Sequence, residues 1–110
     1  MLFLLWFKVK QPQGMSQKEL MGIWKKEAEA ALSAVKSGKI KGLYKVSGKR
    51  EVVAIVDVNS HEELDEMLEN LPIMKELGHS VTVEVTPIHP YENFYELMKK
   101  LTEEGIRYSV

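Results

Sequence analysis

The fold is decided by residues 45–72, whose sequence is KVSGKREVVAIVDVNSHEELDEMLENLP. Five consecutive apolar residues, Val52 to Val56, lie between a Gly-containing turn and a charged segment with helical periodicity. A strand with one face in water alternates polar and apolar residues, and this run does not. We therefore predict a strand that is covered on both faces, and the question is what covers the second one.

The first ten residues, MLFLLWFKVK, show the same property. We predict a strand over Leu2 to Lys10, stopped by QPQG, with both faces apolar over its first half. The apolar run is much shorter than the roughly 20 residues of a membrane-spanning helix. It also lacks the charged start and cleavage site of a signal peptide. We therefore expect a buried strand and no membrane partner.

Two S-x-x-E capping boxes predict the starts of helices, at Ser16 and at Ser60. The first helix is predicted to run to about Ser37 and to end at Gly38, and the second to stop at Pro72. A short link containing glycine predicts an antiparallel hairpin between strands 39–47 and 51–58. The segment IMKELGHS is expected to be a loop or short turn, followed by a strand over residues 81–86 with one wetter face. The segment PIHPYEN is expected to break the chain before a last helix, residues 94–101, ended by Gly105, and a tail IRYSV.

The predicted order is β-α-β-β-α-β with an added C-terminal helix, an α+β fold of the ferredoxin-like type in a single domain of residues 1–110. Two helices cover only one face of the four-stranded antiparallel sheet. Because the strands are apolar on both faces, we expect a second copy of the chain to cover the other face. The prediction is a homodimer packed sheet against sheet, with a ring of dimers as a larger assembly.

Composition excludes several classes of protein. The chain has 110 residues, of which 45% are hydrophobic and 28% charged, as in globular domains. The formal net charge of −1 gives no general attraction to nucleic acid, so no nucleic-acid partner is expected. No cysteine is present, which excludes disulfides and thiolate catalysis and is compatible with a reducing compartment. We expect a cytoplasmic protein.

Glu27 is the most informative single residue, because it falls in the apolar stripe of the first predicted helix between Trp24 and Ala31. A carboxylate in such a place is costly unless it is paired or lies in a cavity. Desolvation would raise its pKa toward neutrality, which suits a general acid or base. The alternative is that Glu27 reaches solvent or pairs with a basic residue such as Lys45.

Other side chains are candidates for a binding pocket. Trp6, Trp24 and Tyr44 could line an apolar pocket, although aromatic residues at such positions are commonly plain core. Tyr44 and Lys45, with Lys8, could bind a substrate carboxylate, or they could form a solvated strand edge.

Sites for metals and phosphates are not predicted. Neither a metal nor a cofactor is expected, because the three histidines are not paired with one another or with acidic residues at the spacing of metal ligands. They are His61, His79 and His89. The segment VSGKREV contains Gly-Lys without the spacing of a phosphate-binding loop.

Several short motifs occur together in a fixed order over residues 1–90, and in this order the chain resembles the muconolactone delta-isomerase family. Each motif is short and common, and their collinearity carries the resemblance. Residues 91–110 extend past the usual end of the family. The motifs are MLF at residues 1–3, Val9-Lys10, Pro12, Met15, Glu27, Gly48, Ile55-Val56-Asp57-Val58, Ser60, Leu64, Leu71-Pro72 and His89-Pro90.

The resemblance implies a dimeric ferredoxin-like barrel, with a ring of dimers in the bacterial enzymes. It also implies a cofactor-free shift of a carbon–carbon double bond in a small unsaturated lactone acid, with Glu27 as the acid/base residue. Leu4 and Trp6 replace a His and a Lys of the bacterial enzymes, and Tyr44-Lys45 replaces Trp-Arg, so a more apolar pocket is expected. Two alternatives stay open: a non-catalytic oligomer of this fold that binds a small apolar ligand, and a cofactor-free monooxygenase.

Overall fold

The computed structural model of the protein describes residues 1–103. Four strands form one antiparallel sheet, with the third and first strands of the chain at its centre and the second and fourth at its edges, which confirms the α+β ferredoxin-like prediction. None of the helices in this part of the chain is long and apolar enough to cross a membrane. The elements in chain order are β1 (Leu2–Val9), α1 (Gln17–Lys36), β2 (Ile40–Lys45), β3 (Glu51–Asp57), α2 (His61–Glu69), α3 (Pro72–Leu77), a 3₁₀ turn (Gly78–Ser80), β4 (Val81–Ile88) and α4 (Tyr91–Glu103).

Local signals fix both ends of α1 and the start of α2. The Ser16 hydroxyl accepts a hydrogen bond from the backbone N–H of Glu19 at 3.1 Å, and Ser60 does the same for Glu63 at 3.0 Å. Each bond satisfies a backbone donor that the first helical turn leaves without a partner. Gly38, just past the end of α1, has φ +85°, a conformation that only glycine adopts without strain. The predicted helix boundaries are confirmed here.

Several predicted boundaries are wrong: β2 ends at Lys45 and not at residue 47, and the last helix begins at Tyr91 and not at residue 94. Two further differences have clear physical reasons. The segment expected to be a loop after Pro72 forms α3, because proline is well suited to the first turn of a helix, where no backbone N–H is needed. The last strand does not break at Pro87 but continues to Ile88. β4 is an edge strand, and an edge tolerates a residue that cannot donate a hydrogen bond outward. The predicted helix end at Gly105 and the tail lie outside the described residues.

The core lies between one face of the sheet and helices α1, α2 and α3. Leu5 and Leu20, both almost fully buried, belong to two neighbouring clusters that share Phe7 and Val83 at their margin. Burying a leucine in this way stabilises the fold by about 2 kcal/mol. The clusters are held by residues from the sheet and from all three helices.

The other face of the sheet is also apolar at its centre. Leu4 pairs with Ile55 and Trp6 with Val53 across β1 and β3, and all four side chains point away from the core. We call this surface the open face. The prediction that both faces of these strands are apolar is confirmed, and a second copy over the open face stays a prediction.

The molecule is elongated, with extents of 62 × 27 × 25 Å. Its radius of gyration is 17.9 Å, against about 13 Å for a compact chain of this length. Helix α4 follows β4 after a two-residue link and buries none of its residues. It is the part of the described chain that does not join the core.

Candidate functional site

A cavity of about 320 Å³ lies between α1 and the core face of the sheet. Its wall is mostly apolar and draws on α1 and all four strands, with contributions from α2 and α3. The cavity exists because the second half of α1 presents small side chains to the sheet. Ala30, Ala31 and Ala34 lie where larger residues would fill the space.

Glu27 lies in this cavity wall, at the middle of α1. Its Oε2 atom is buried and has no hydrogen-bond partner among residues 1–103. Burial raises the pKa of the Glu27 carboxyl from 4.5 to about 7, and the backbone N–H of Ile73 acts in the opposite direction. A carboxyl with this pKa is present in both protonation states near neutral pH, so it can take up and release a proton.

The alternative in which Lys45 neutralises Glu27 does not match the structure. The Lys45 ammonium donates to the backbone carbonyl of Val46 at 2.7 Å and also to that of Lys49. No ion pair involving Glu27 occurs among the described residues. A filled barrel in which Glu27 formed a salt bridge would have favoured a non-catalytic scaffold. The structure instead has an open cavity lined by the Glu27 carboxyl, which counts against a non-catalytic scaffold.

Three of the predicted binding residues join Glu27 at the cavity: Trp24, Tyr44 and Lys45. Trp24 is half-buried on α1. Lys45 is exposed on the edge strand β2 and marks the mouth of the cavity.

Tyr44 borders the cavity but pairs with Val53, as Trp6 does, so strand alternation turns its side chain toward the open face and the prediction that it faces the pocket is wrong. The Tyr44 ring lies over Gly42, with its Cε2 atom 3.3 Å from the place where a Cβ on that glycine would stand.

The prediction that Trp6 and Lys8 face the same pocket is wrong for this chain, because strand alternation puts them on the open face. The Trp6 indole donates to Glu51 Oε1 at 2.6 Å, and the Lys8 ammonium pairs with Glu84 at 3.3 Å. Leu4 shares their side of β1. The odd-numbered residues of this strand face the cavity instead.

Sequence reasoning missed two parts of the site. The alanines of α1 carry no chemistry, but the segment EAEAALSAV shows small residues at the core-facing positions, and this was a usable signal for a cavity. The backbone N–H of Ile73 could not be found, because α3 itself was not predicted. The site therefore combines one predicted carboxyl with a wall that local patterns describe only in part.

The family model for muconolactone delta-isomerase matches residues 1–93. The chain belongs to the muconolactone delta-isomerase family. A muconolactone Delta-isomerase from Cupriavidus pinatubonensis is 33% identical over 92 residues, which cover 82% of this chain and 96% of that protein. The crystal structure of a muconolactone isomerase superposes with a TM-score of 0.68 at 28% identity, covering 82% of this chain and 92% of that one.

Membership of the muconolactone delta-isomerase family supports an isomerase-like function over the monooxygenase and scaffold alternatives. It agrees with the resemblance carried by the short motifs of residues 1–90. The family match ends at residue 93, so most of α4 lies beyond it.

Proposed function

We propose that the protein is a cofactor-free isomerase that shifts a carbon–carbon double bond in a small unsaturated lactone by proton transfer through Glu27. The observation that carries the proposal is a carboxyl with a pKa of about 7 and an unpaired oxygen in the wall of an apolar cavity. The relatives are named for muconolactone, and this lactone acid is the first substrate to test.

The reaction balances with one carboxyl group. The Glu27 carboxylate removes a proton from a carbon that the unsaturated lactone carbonyl acidifies, and the electrons of that C–H bond spread into a dienolate. The protonated carboxyl then returns the proton to a different carbon of the same conjugated system, and the double bond has moved. Glu27 ends as it began, so no oxidant, reductant or cofactor is consumed. An apolar wall favours this chemistry, since it keeps water from exchanging the proton in transit.

Lys45 is proposed to bind the substrate at the mouth of the cavity, and Trp24 to form part of its wall. A change of side-chain rotamer would let the Lys45 ammonium leave the backbone carbonyls of Val46 and Lys49 and pair with a substrate carboxylate at the mouth. The negative charge that develops on the lactone oxygen during proton removal would also be stabilised by a nearby N–H or ammonium donor.

The test is a spectrophotometric assay with muconolactone on the wild type and Glu27→Gln, combined with deuterium uptake from D₂O followed by NMR. Glutamine keeps the shape of the side chain and cannot accept the proton. We expect turnover in the wild type with little uptake of deuterium, because the carboxyl returns the proton it removed, and a loss of turnover of at least about a hundredfold in the variant. Glu29→Gln, which removes an exposed carboxylate from the same helix, is the matched control. Full activity in Glu27→Gln would end the assignment.

We also propose that the functional unit is a homodimer in which open faces pack together, as the apolar pairs Leu4–Ile55 and Trp6–Val53 support. Ile55→Glu should raise the dissociation constant of the dimer by roughly tenfold or more in analytical ultracentrifugation, since it puts a charge at the centre of the contact. An unchanged constant contradicts this interface. The cytoplasm is the compartment we propose, in keeping with a chain that contains no cysteine.

A further inference from the structure

A second pocket, of about 310 Å³, lies between the first half of α1 and the turn before β3. We call it the outer pocket, because it is more open to solvent than the cavity that contains Glu27. Its floor is apolar and is formed by Leu20, Met21 and Trp24. Trp24 and Ala28 line both spaces, so the outer pocket and the cavity share part of one wall.

Both charged side chains of the outer pocket are cations, Lys25 on α1 and Arg50 on the turn before β3. Neither of them forms an ion pair with another residue in the range 1–103. A carboxylate that enters the pocket can therefore pair with either cation without displacing an acidic side chain. Sites for small ligands combine a mostly apolar wall with a few polar or charged groups. The outer pocket therefore suits a small organic anion.

Strand alternation places Arg50 on the cavity side of the sheet. Val52, two residues further on, lines the cavity and pairs with Lys45 on β2. Arg50 therefore continues the cavity-facing row just before the start of β3. Glu51 lies between them and faces the other way, and its carboxylate accepts a hydrogen bond from the Trp6 indole on the open face. The carboxylate next to Arg50 in the sequence is thus directed away from the guanidinium.

Arg50 is better suited than Lys45 to be the main contact of a carboxylate. The Lys45 ammonium already donates to two backbone carbonyls and has to leave them before it can bind a ligand. A guanidinium binds a carboxylate through two parallel hydrogen bonds, which an ammonium cannot do. The backbone of Arg50 is also fixed, because its carbonyl accepts a hydrogen bond from the N–H of Val9 at 2.9 Å.

We propose that Arg50, assisted by Lys25, binds the carboxylate of the substrate in the outer pocket and makes the protein selective for lactone acids over uncharged lactones. The lactone ring then lies past Trp24, toward Glu27, which is three residues further along α1 and on the same side of that helix. Lys45 is a second, weaker contact to the same carboxylate. The assignment rests on the proposed function for the identity of the ligand, but its test measures binding and does not depend on turnover.

The test uses muconolactone in which the ring double bond has been reduced, because this acid has no conjugated system that the protein could isomerise. Its methyl ester is the uncharged counterpart. Isothermal titration calorimetry at low salt measures both dissociation constants. We expect the acid to bind the wild type roughly tenfold more tightly than the ester, and Arg50→Gln to remove most of this preference. Arg50→Lys keeps the charge without the two parallel hydrogen bonds and should lie between them.

Lys49→Gln is the matched control, because it removes the same charge from the neighbouring position, which lines neither space. It should leave the dissociation constant of the acid unchanged within about twofold. The preference for the acid should also fall as the ionic strength rises, since salt screens exposed charges.

Four results would each overturn the proposal. They are no measurable binding of the acid to the wild type, equal binding of acid and ester, an unchanged preference in Arg50→Gln, and a larger loss in Lys45→Gln or Lys49→Gln than in Arg50→Gln. The outcome is separate from that of the proposed function. Binding that depends on Arg50, without turnover of muconolactone, supports the anion site and refutes the isomerase. Turnover that is lost in Glu27→Gln, with an unchanged preference in Arg50→Gln, does the reverse.

Discussion

Replacing Glu27 by Gln should make the folded protein more stable at neutral and alkaline pH, although the residue belongs to the candidate site. Burial raises the pKa of this carboxyl from 4.5 to about 7. Between these two values the folded protein holds a proton that the unfolded chain has released. The contribution of Glu27 to the free energy of unfolding is therefore fully present below pH 4.5 and is lost as the pH rises toward 7, because the folded state then contains a buried negative charge.

The size of the effect follows from the pKa. A tenfold change in proton affinity corresponds to ~1.4 kcal/mol, so a rise from 4.5 to about 7 lowers the free energy of unfolding by about 3 kcal/mol once the pH exceeds both values. Glutamine cannot ionise and avoids this loss. We expect the difference in free energy of unfolding between Glu27→Gln and the wild type to grow by about 2 kcal/mol from about pH 5 to about pH 8.

Urea unfolding, followed by tryptophan fluorescence at several pH values and one protein concentration, measures this difference. The fixed concentration matters because association stabilises the folded state. Glu29→Gln removes the same charge from an exposed position of α1 and serves as the reference. A difference that stays constant with pH, or the same trend in the reference variant, would refute the account of a desolvated Glu27.

Three further outcomes are expected. The kcat/KM of the isomerase should rise with pH through a midpoint near 7, because the Glu27 carboxylate is the base; a midpoint near 4.5 would contradict a buried base. Leu5→Ala, at a side chain that is 1% exposed, should lower the free energy of unfolding by about 2–5 kcal/mol in urea titrations, and a loss below about 1 kcal/mol would contradict its place in the core. Ala31→Leu should fill part of the cavity, raising KM severalfold with little loss of stability, whereas an unchanged KM would mean that ligands do not use this space.

Much of the fold could be predicted because its signals are local. The capping boxes at Ser16 and Ser60 and the glycine after α1 each act within one helical turn, and the structure reproduces them. The absence of alternation in Val52–Val56 correctly predicted a strand with two apolar faces. Pro72 was misread because the same residue ends one helix and begins another, and the choice depends on the packing of Ile73 and Leu77 in the core.

The candidate site was predicted less completely, because it depends on which side of the sheet each strand residue takes. Glu27 was found, since one carboxyl in an apolar helix stripe stands out. Trp6 and Lys8 were assigned to the pocket because of their residue types. Alternation along β1 already puts them on the opposite face of the sheet from Leu5 and Phe7. The Lys45 ammonium donates to a backbone carbonyl of the turn that follows it. This contact depends on the rotamer of a long side chain, which no pattern in the sequence encodes.

The alanine-rich side of α1 allows the pocket to change without changing the fold. Ala30, Ala31 and Ala34 lie in the cavity wall, while α1 is also held in place by the burial of Leu20 and by its packing on α3. Single substitutions among these alanines can therefore reshape the chamber in small steps while the anchoring contacts stay intact. Substitutions that add or remove a few methyl groups on α1 could therefore change the range of substrates in relatives with this fold, while the acid/base residue stays the same.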